Sequence, residues 1–586
     1  MNFDTAISGL NASRAAIEIA SHNIANAENE AHKKQTISFN AIEGNNLVGG
    51  GVTIAGVSNS ASEFTVRLLQ EKQSSVSYDA EFSSQAGFIE NYFNDLGNER
   101  FMTSISDFFN AFDDLKNGFD STANKSQVIT TADTMMSNLN EIKMNISSIR
   151  EQAELKLNSD IKEVNNILTS ISKINSSLQQ TQDLSLIDQR DYLETKLSEK
   201  IGIKVSKTSE GGYSILANDQ VILRGTEYFE YSAVKDNDTG TEKLVLNEMV
   251  DITNQKSNNG SIGGLIEFTK ENGVLSEIDE LLSTFEYTFV NEINSIYSSK
   301  ISEDISGKSF DGILDHNQPL LDNPDFKGIQ PGEFTISYYP DNQEPSETLT
   351  VHLDHTTTIS SLQGQINDFF SASKDGVNPY VDMDGINSLN FEAKGGYLSI
   401  DEKDTNFNQI MGLNQFFVKD EMKDSYVVKD TLKSNPDSLY DLDNEVASNA
   451  NLENIESIAD LKYQEVKFVS DVRYEDFQHT NYSGSDGVYC IEPKYFNTVL
   501  NGDSKTFEDF YQDLVMDVSI LKNASDNKLE IGEVVLKTIQ NEYNEMVKVD
   551  VDEELAKLME YQTAYQANAK AIQTINEAFD YILQIL

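Results

Sequence analysis

All eight prolines of this 586-residue chain lie between Pro319 and Pro493. Proline lacks a backbone donor and clashes with the preceding helical turn, so it belongs to turns, helix starts and strand edges. The stretches 1–318 and 494–586 contain none and are free to hold long helices. Helical spacing fills them: Leu157, Ile161, Val164, Leu168, Ile171, Ile174 and Leu178 form one apolar stripe. Leu275, Ile278, Leu282, Phe285, Phe289, Ile293 and Ile296 form another, after an Asn272-Gly273 turn, and 83–182 reads as one long helical segment. Between the two stripes, "IGIKVSKTSEGGYSILANDQVILRG" alternates, with Val205, Ile215 and Val221 on strands and Gly211-Gly212 turning. In the proline-bearing middle, "EFTISYYP" and "ETLTVHL" read as strands and "ISSLQGQINDFF" as a short helix.

The expected fold is therefore α+β, elongated and multidomain. A terminal helical coiled coil comprises 1–60 and 551–586; a mainly helical body with a β-hairpin region comprises 61–305 and 501–550; a β-rich outer insertion comprises 306–500.

The two ends carry complementary patterns. Near the N-terminus Phe3, Leu10, Ile17 and Ile24 recur every seven residues, each followed three positions later by Ala6, Ser13, Ala20 or Ala27. A bulky row beside a nearly empty one lets a second helix approach closely. At the other end Leu558, Tyr561, Tyr565, Asn568, Ile572, Ile575, Phe579, Ile582 and Leu586 alternate steps of three and four. That is a coiled-coil seam, bulky on both rows, with Asn568 as its polar, register-setting member. The spacing predicts that the ends pack on each other along roughly 35 Å, at ~1.5 Å per residue. Isolated helices are marginal without tertiary partners, so both ends are expected to gain order on assembly.

Charge and chemistry narrow the function. With 44 Lys+Arg against 96 Asp+Glu, the net charge of −52 repels nucleic acid and anionic membranes, and neither is an expected partner. Hydrophobic residues make up 38%, enough to build cores. Cys490 is the lone cysteine, which precludes an internal disulfide. Arg14 and Glu18 interrupt any secretory apolar run, so these signals alone read as cytoplasmic. His352 and His355 suggest a metal pair, but an offset of three on a strand sends them to opposite faces. "VDMDGINSLNFE" hints at a Ca²⁺ loop, yet Tyr380 and Phe391 occupy the first and twelfth positions, where oxygen ligands belong. Cys490, in "GVYCIEP", reads as a packed strand residue, and Asp550, Asp552, Glu553 and Glu554 read as a helix N-terminus favourable to the dipole. No hydrolase, nucleotide-binding or zinc-protease motif stands in a usable context. No catalytic residue, cofactor or metal is expected.

The segment "SGLNASRAAIEIASHNIANAENEAHKKQ" resembles the N-terminal signature of bacterial flagellar rod, hook and hook-associated proteins, and "EYQTAYQANAKAIQTINEAFDYIL" resembles their C-terminal signature. "LIDQRDYLETKLSEKIGIKV", "NGSIGGLIEFTKENGVLSEIDELLSTFEYTFVNEINSIY" and "IMGLNQFF" are similar to the junction members of that family. The resemblance implies a non-enzymatic structural protein of the bacterial flagellum, self-assembling as an adaptor at the hook–filament junction. It implies partners: further copies, the hook protein on one side, the second junction protein on the other, and an export chaperone on the C-terminal helix. It also replaces the cytoplasmic reading with an extracellular one, reached unfolded through the flagellar export channel. The hook protein and the second junction protein are the nearest alternatives; an enzyme or binding module carried by 306–500 is the alternative from another class. One departure stands out: after "NIAN" the family's Thr-Pro-Gly-Tyr turn is replaced by Asn29, Glu30, Ala31 and His32. With no Pro or Gly to stop it, the first helix is expected to run further.

Overall fold

The structure is a computed structural model. It describes residues 3–43, 50–59, 62–94, 97–181, 183–207, 212–217, 219–236, 240–255, 259–310, 314–323, 326, 328–340, 347–371, 381–384, 387–420, 425–440, 445–468, 495–496 and 504–585. Cys490, Tyr380 and Leu586 lie outside the described residues.

The helices are α1 (Phe3–Ala25), α2 (Glu63–Asn94), α3 (Gly97–Asn117), α4 (Thr122–Leu178), α5 (Leu184–Lys200), α6 (Gly260–Thr269), α7 (Val274–Ser298), α8 (Ile359–Phe369), α9 (Phe407–Met411), α10 (Asp430–Ser434), α11 (Glu445–Asp460), α12 (Phe507–Val547) and α13 (Val551–Ile585). The strands are β1 (Gln35–Ala41), β2 (Val52–Asn59), β3 (Ile203–Lys207), β4 (Tyr213–Ala217), β5 (Gln220–Arg224), β6 (Glu227–Tyr228), β7 (Tyr231–Lys235), β8 (Glu242–Leu246), β9 (Val250–Asp251), β10 (Asp304–Ser306), β11 (Gly332–Pro340), β12 (Glu347–Leu353), β13 (Val381–Asp384), β14 (Asn390–Ala393), β15 (Gly396–Glu402), β16 (Phe417–Asp420) and β17 (Ser425–Val428). The fold is α+β and multidomain. The helical segment expected over 83–182 is formed by α2, α3 and α4, with a break at Gly118 and Asp120.

Contacts divide the chain into two units. The first comprises Met1–Ala86, Arg150–Gly273 and Lys522–Leu586. Its main core is the stripe read from sequence: Leu157, Ile161, Val164, Leu168 and Ile171 of α4, packed with Leu197, Ile215, Leu223, Leu244 and Leu265. The hairpin passage folds as the antiparallel sheet β3-β4-β5-β6, with Val205 opposite Ile215. Strands β7-β8-β9 form a second small sheet, and β1 with β2 an antiparallel ribbon. Gly264 of α6 permits a close helix crossing, because a Cβ there would sit 3.0 Å from Tyr78 O and Glu81 Cβ of α2.

The second unit comprises Gly87–Ile149 and Val274–Leu521. Its helical part is built on aromatics: Phe108 meets Phe289 edge-to-face at 5.3 Å, and Phe289 meets Phe507 at 5.0 Å. The stripe on α7 is buried there from Leu275 to Ile293. Its β part contains the sheets β12-β11-β15 and β10-β14-β13, with α8 supplying Leu362 and Ile366 to their shared core. "EFTISYYP" and "ETLTVHL" pair as β11 and β12, and "VDMDGINSLNFE" contributes β13 and β14. His352 lies on β12 with Nδ1 2.8 Å from Glu333; His355 lies beyond the strand, 3.3 Å from Asp322. Among the described residues no group of side chains could hold a metal, and no helix is long and apolar enough to cross a membrane.

One carboxylate in this unit titrates in the neutral range. Glu402 accepts the backbone N–H of Asn408 and of Gln409, the latter at 3.2 Å, at the start of α9. Burial is the main cause that raises its pKa to about 7, with Asp401 adding to the shift and the two N–H donors opposing it. The folded-state value exceeds the unfolded one, so the folded chain binds this proton more tightly. Its stabilising contribution is complete below the ordinary carboxylate range and is lost as pH rises through 7. Glu402→Gln keeps an acceptor and cannot ionise. The variant is expected to unfold at higher temperature than wild type at pH 8, by about 1–3 kcal/mol in stability, and to match it at pH 5. Equal melting of both proteins at pH 8 would refute the assignment.

Candidate assembly site at the chain ends

Within the first unit α1 packs on α13 over most of its length. The face it buries is the small one: Ala6, Ala12, Ser13, Ala16 and Ala20 are all buried. At Gly9 a Cβ would stand 2.8 Å from the Asn568 side-chain oxygen. A side chain there would have to displace the Asn568 amide. Asn568 turns its own amide to the Ala564 carbonyl at 3.0 Å, so its polar end is satisfied beside the glycine.

The seam read from sequence is placed less deeply. Phe3 is 38% exposed, and Leu10, Ile17 and Ile24 are half-buried beside the small row. On α13, Leu558, Tyr561, Asn568, Ile572 and Ile575 are half-buried, while Tyr565, Phe579 and Ile582 are exposed. The small residues of α1 therefore make the intimate contact, and the large ones flank it.

Helix α1 does not run on. It stops at Ala25, and the correction has a local cause. The Asn26 amide folds back to the His22 carbonyl at 2.9 Å, and Asn29 and His32 continue as turns, their N–H groups bonded to Asn26 and Asn29 carbonyls. Asparagine competes with the helix through its own side chain. Two Asn thus end the helix without Pro or Gly.

The replacement turn delivers a buried polar network that the sequence reading passed over. Asn23, fully buried, donates to the Gln35 carbonyl and to Glu554 of α13, each at 2.9 Å. Its oxygen accepts the Gln35 N–H at 3.0 Å and lies 3.1 Å from His32 Nε2. That oxygen is an acceptor toward Gln35, so Nε2 carries the His32 proton. Burial, with His22 adding to it, lowers the His32 pKa. Lys33 is buried: its N–H donates to Asp188 at 3.2 Å and its ammonium sits 2.5 Å from Asp191, both on α5. Asn59 of β2 donates to Asp188 at 2.9 Å. Burial raises the Asp188 pKa against these donors.

Lys34 lies 2.7 Å from Glu553 at the start of α13, and Lys557 lies 2.8 Å from the same carboxylate. These two cations, Lys34 foremost, hold the Glu553 pKa down to about 2. Asp550 closes the helix start by accepting the N–H groups of Asp552 and Glu553 at 2.9 and 3.1 Å. The acidic run thus sits at a helix N-terminus, with Glu553 and Glu554 serving as anchors for the opposite end of the chain. The network acts as a lock: Asn23, Lys33 and Lys34 each donate to a carboxylate on another element. Losing one partner of a buried pair costs about 3–5 kcal/mol because it strands the other charge. The one legible signal was the Lys33-Lys34 pair directly after the replaced turn.

Three family profiles match this chain. Residues 3–28 match the flagella basal body rod protein, 540–585 the flagellar basal body rod FlgEFG protein C-terminal, and 86–310 the flagellar hook-associated protein FlgK helical domain. At both ends and across 86–310 the chain is thus similar to the flagellar rod, hook and hook-associated axial proteins, structural components of the flagellum. Among them it is similar to flagellar hook-associated protein 1. It is 24% identical to that protein of Salmonella typhimurium and 22% identical to that of Escherichia coli K12, in both cases over 99% of each chain. The solved structure of the flagellar hook junction protein FlgK from Burkholderia pseudomallei aligns at a TM-score of 0.46 and 11% identity, over 81% of this chain and 99% of that one.

Proposed function

We propose that this protein is the adaptor between hook and filament, built into the flagellum as a ring or helical array of copies with no enzymatic role. The observation that carries the reading is the pairing of α1 with α13, in a chain similar along 99% of its length to hook-associated protein 1. The terminal coiled coil, 1–60 with 551–586, lines the inside of the array and drives polymerisation. The body, 61–305 with 501–550, makes the lateral contacts, and 306–500 faces outward. The hook protein lies on one side of the array and the second junction protein on the other. The chain reaches this extracellular position unfolded, through the export channel, after a cytoplasmic chaperone has held its C-terminal helix. The single cysteine suits such a route, since no disulfide has to form on arrival.

The test is location. An epitope tag inserted at 341–346, between β11 and β12, and visualised with gold on isolated hook–filament particles, is expected to mark one band at the boundary. Label spread along the hook, or along the filament, would overturn the reading.

A further inference from the structure

Strand β3 is one edge of the sheet β3-β4-β5-β6, and among the described residues its backbone bonds only to β4. The other edge, β6, is two residues long, so β3 is the edge with length to pair further. Two adjoining cavities of the first unit, of about 380 and 470 Å³, lie along it. Gly202, Ile203, Lys204 and Val205 line the first; Val205, Ser206 and Lys207 line the second. Successive strand side chains point to opposite faces, so a space touched by every residue of the run lies beside the backbone itself. The outer N–H and C=O groups of β3 therefore front a groove roughly 16 Å long, at ~3.3 Å per residue.

Helix α2 forms the opposite wall. Arg67 and Gln70 line both cavities, with Glu63 at one end of the groove and Ser74 at the other. This wall is polar, and part of it lacks a partner. Ser74 is 2% exposed, and its buried hydroxyl has no hydrogen-bond partner. Lys33 is paired with Asp191 and Lys204 with Asp219, whereas the Arg67 guanidinium has no ion pair among the described residues. Helix α5 supplies the floor through Leu184, Ile187 and Asp191. Asp191 Oδ1 is buried without a hydrogen-bond donor, Lys207 Nζ standing 3.6 Å away. A buried polar atom left unpaired costs about 1–3 kcal/mol, so these walls are suited to a polar occupant.

We propose that the groove binds an extended peptide segment, which joins β3 as a fifth strand. One edge of that segment bonds the β3 backbone. Its other edge meets α2, where Arg67 and Ser74 donate and Glu63 and Glu71 accept. A small anion would answer Arg67 and leave the strand edge unpaired. The side chains of the occupant follow from the same geometry. Ile203 and Val205 turn toward the core beside α5, so the inward residues of the segment are apolar. Lys204 and Ser206 turn the other way, so its outward residues are polar and include a carboxylate, since opposite charges on neighbouring strands attract. The occupant is thus a segment of a partner protein in which apolar and acidic or hydroxyl residues alternate. The site is separate from the pairing of α1 with α13 and does not rest on the assembly reading.

The test uses the full chain and the capped peptide acetyl-Thr-Val-Glu-Val-Thr-Val-amide, labelled with fluorescein. Saturable binding by anisotropy is expected, with hydrogen exchange at 203–207 slowed once the peptide is bound. Two further versions are N-methylated, one at the valines and one at the residues between them. Methylation removes main-chain donors and keeps every side chain, so one of the two should bind at least about tenfold more weakly. Arg67 is exposed, and Arg67→Ala is expected to weaken binding about tenfold with melting unchanged. No saturable binding up to about 1 mM peptide would overturn the inference. Equal affinity of all three peptides, unchanged affinity of Arg67→Ala, or binding without protection at 203–207 would overturn it as well.

Discussion

A chain lacking 559–586 is expected to fold and fail to assemble. The deletion removes most of α13, leaving Glu553 and Glu554 in place to hold Lys34 and Asn23. It strips the partner from Ala6, Ser13 and Ala16 of α1 and removes the exposed end at Phe579 and Ile582. The cores around Leu157 and Leu265, and around Ile336 and Leu362, contain no residue of α13. Their melting should therefore be unchanged, with helical signal lost only from the ends. Sedimentation should show monomer at concentrations where the full chain polymerises, and cells making only the truncated form should be non-motile. If the truncated protein still joined hooks to filaments, the role given to the ends would be wrong.

How much of this was legible depended on whether the signal was local and periodic. The stripes on α4 and α7 were read residue by residue, because burial on one helix face imposes a period that survives in any context. The β3–β4 pairing, with Val205 opposite Ile215, was legible for the analogous reason at period two. The end of α1 was missed because its stop signal is side-chain competition by Asn26 and Asn29, weaker in sequence than Pro or Gly. The lock was missed for a deeper reason. Lys33 and Asp191 are 158 residues apart, and Asn23 and Glu554 are 531 apart. Nothing periodic marks a charged residue whose partner arrives only through the fold. The depth of each row was also beyond the pattern: heptad spacing identifies Phe3, Leu10 and Ile17 as one row, yet the residues buried are Ala6, Ala12, Ser13, Ala16 and Ala20 beside them.

That last point yields a sharp contrast between two neighbouring substitutions. Ala20 is 2% exposed and lies on the α1 face that carries Ala16 and Asn23, one turn to either side. Asn23 is held to Gln35 and Glu554, so the backbone there cannot drift to admit a larger side chain. Ala20→Leu adds three carbons to this fixed spacing, and overpacking of this kind costs about 1–3 kcal/mol. Every copy in the array bears it, which raises the critical concentration by about 5- to 150-fold if the closed end pair is required for assembly. Glu18 is only two residues away but exposed, and it pairs with Arg14 at 3.1 Å, both side chains being well solvated. Such a pair contributes roughly 0.3–0.5 kcal/mol, so Glu18→Ala should leave assembly within about twofold of wild type. Light scattering on purified variants gives the critical concentrations, and swimming on soft agar gives the cellular result. Equal assembly and equal motility for the two variants would mean that α1 and α13 are not closely packed in the working state, and the small row would then need another explanation.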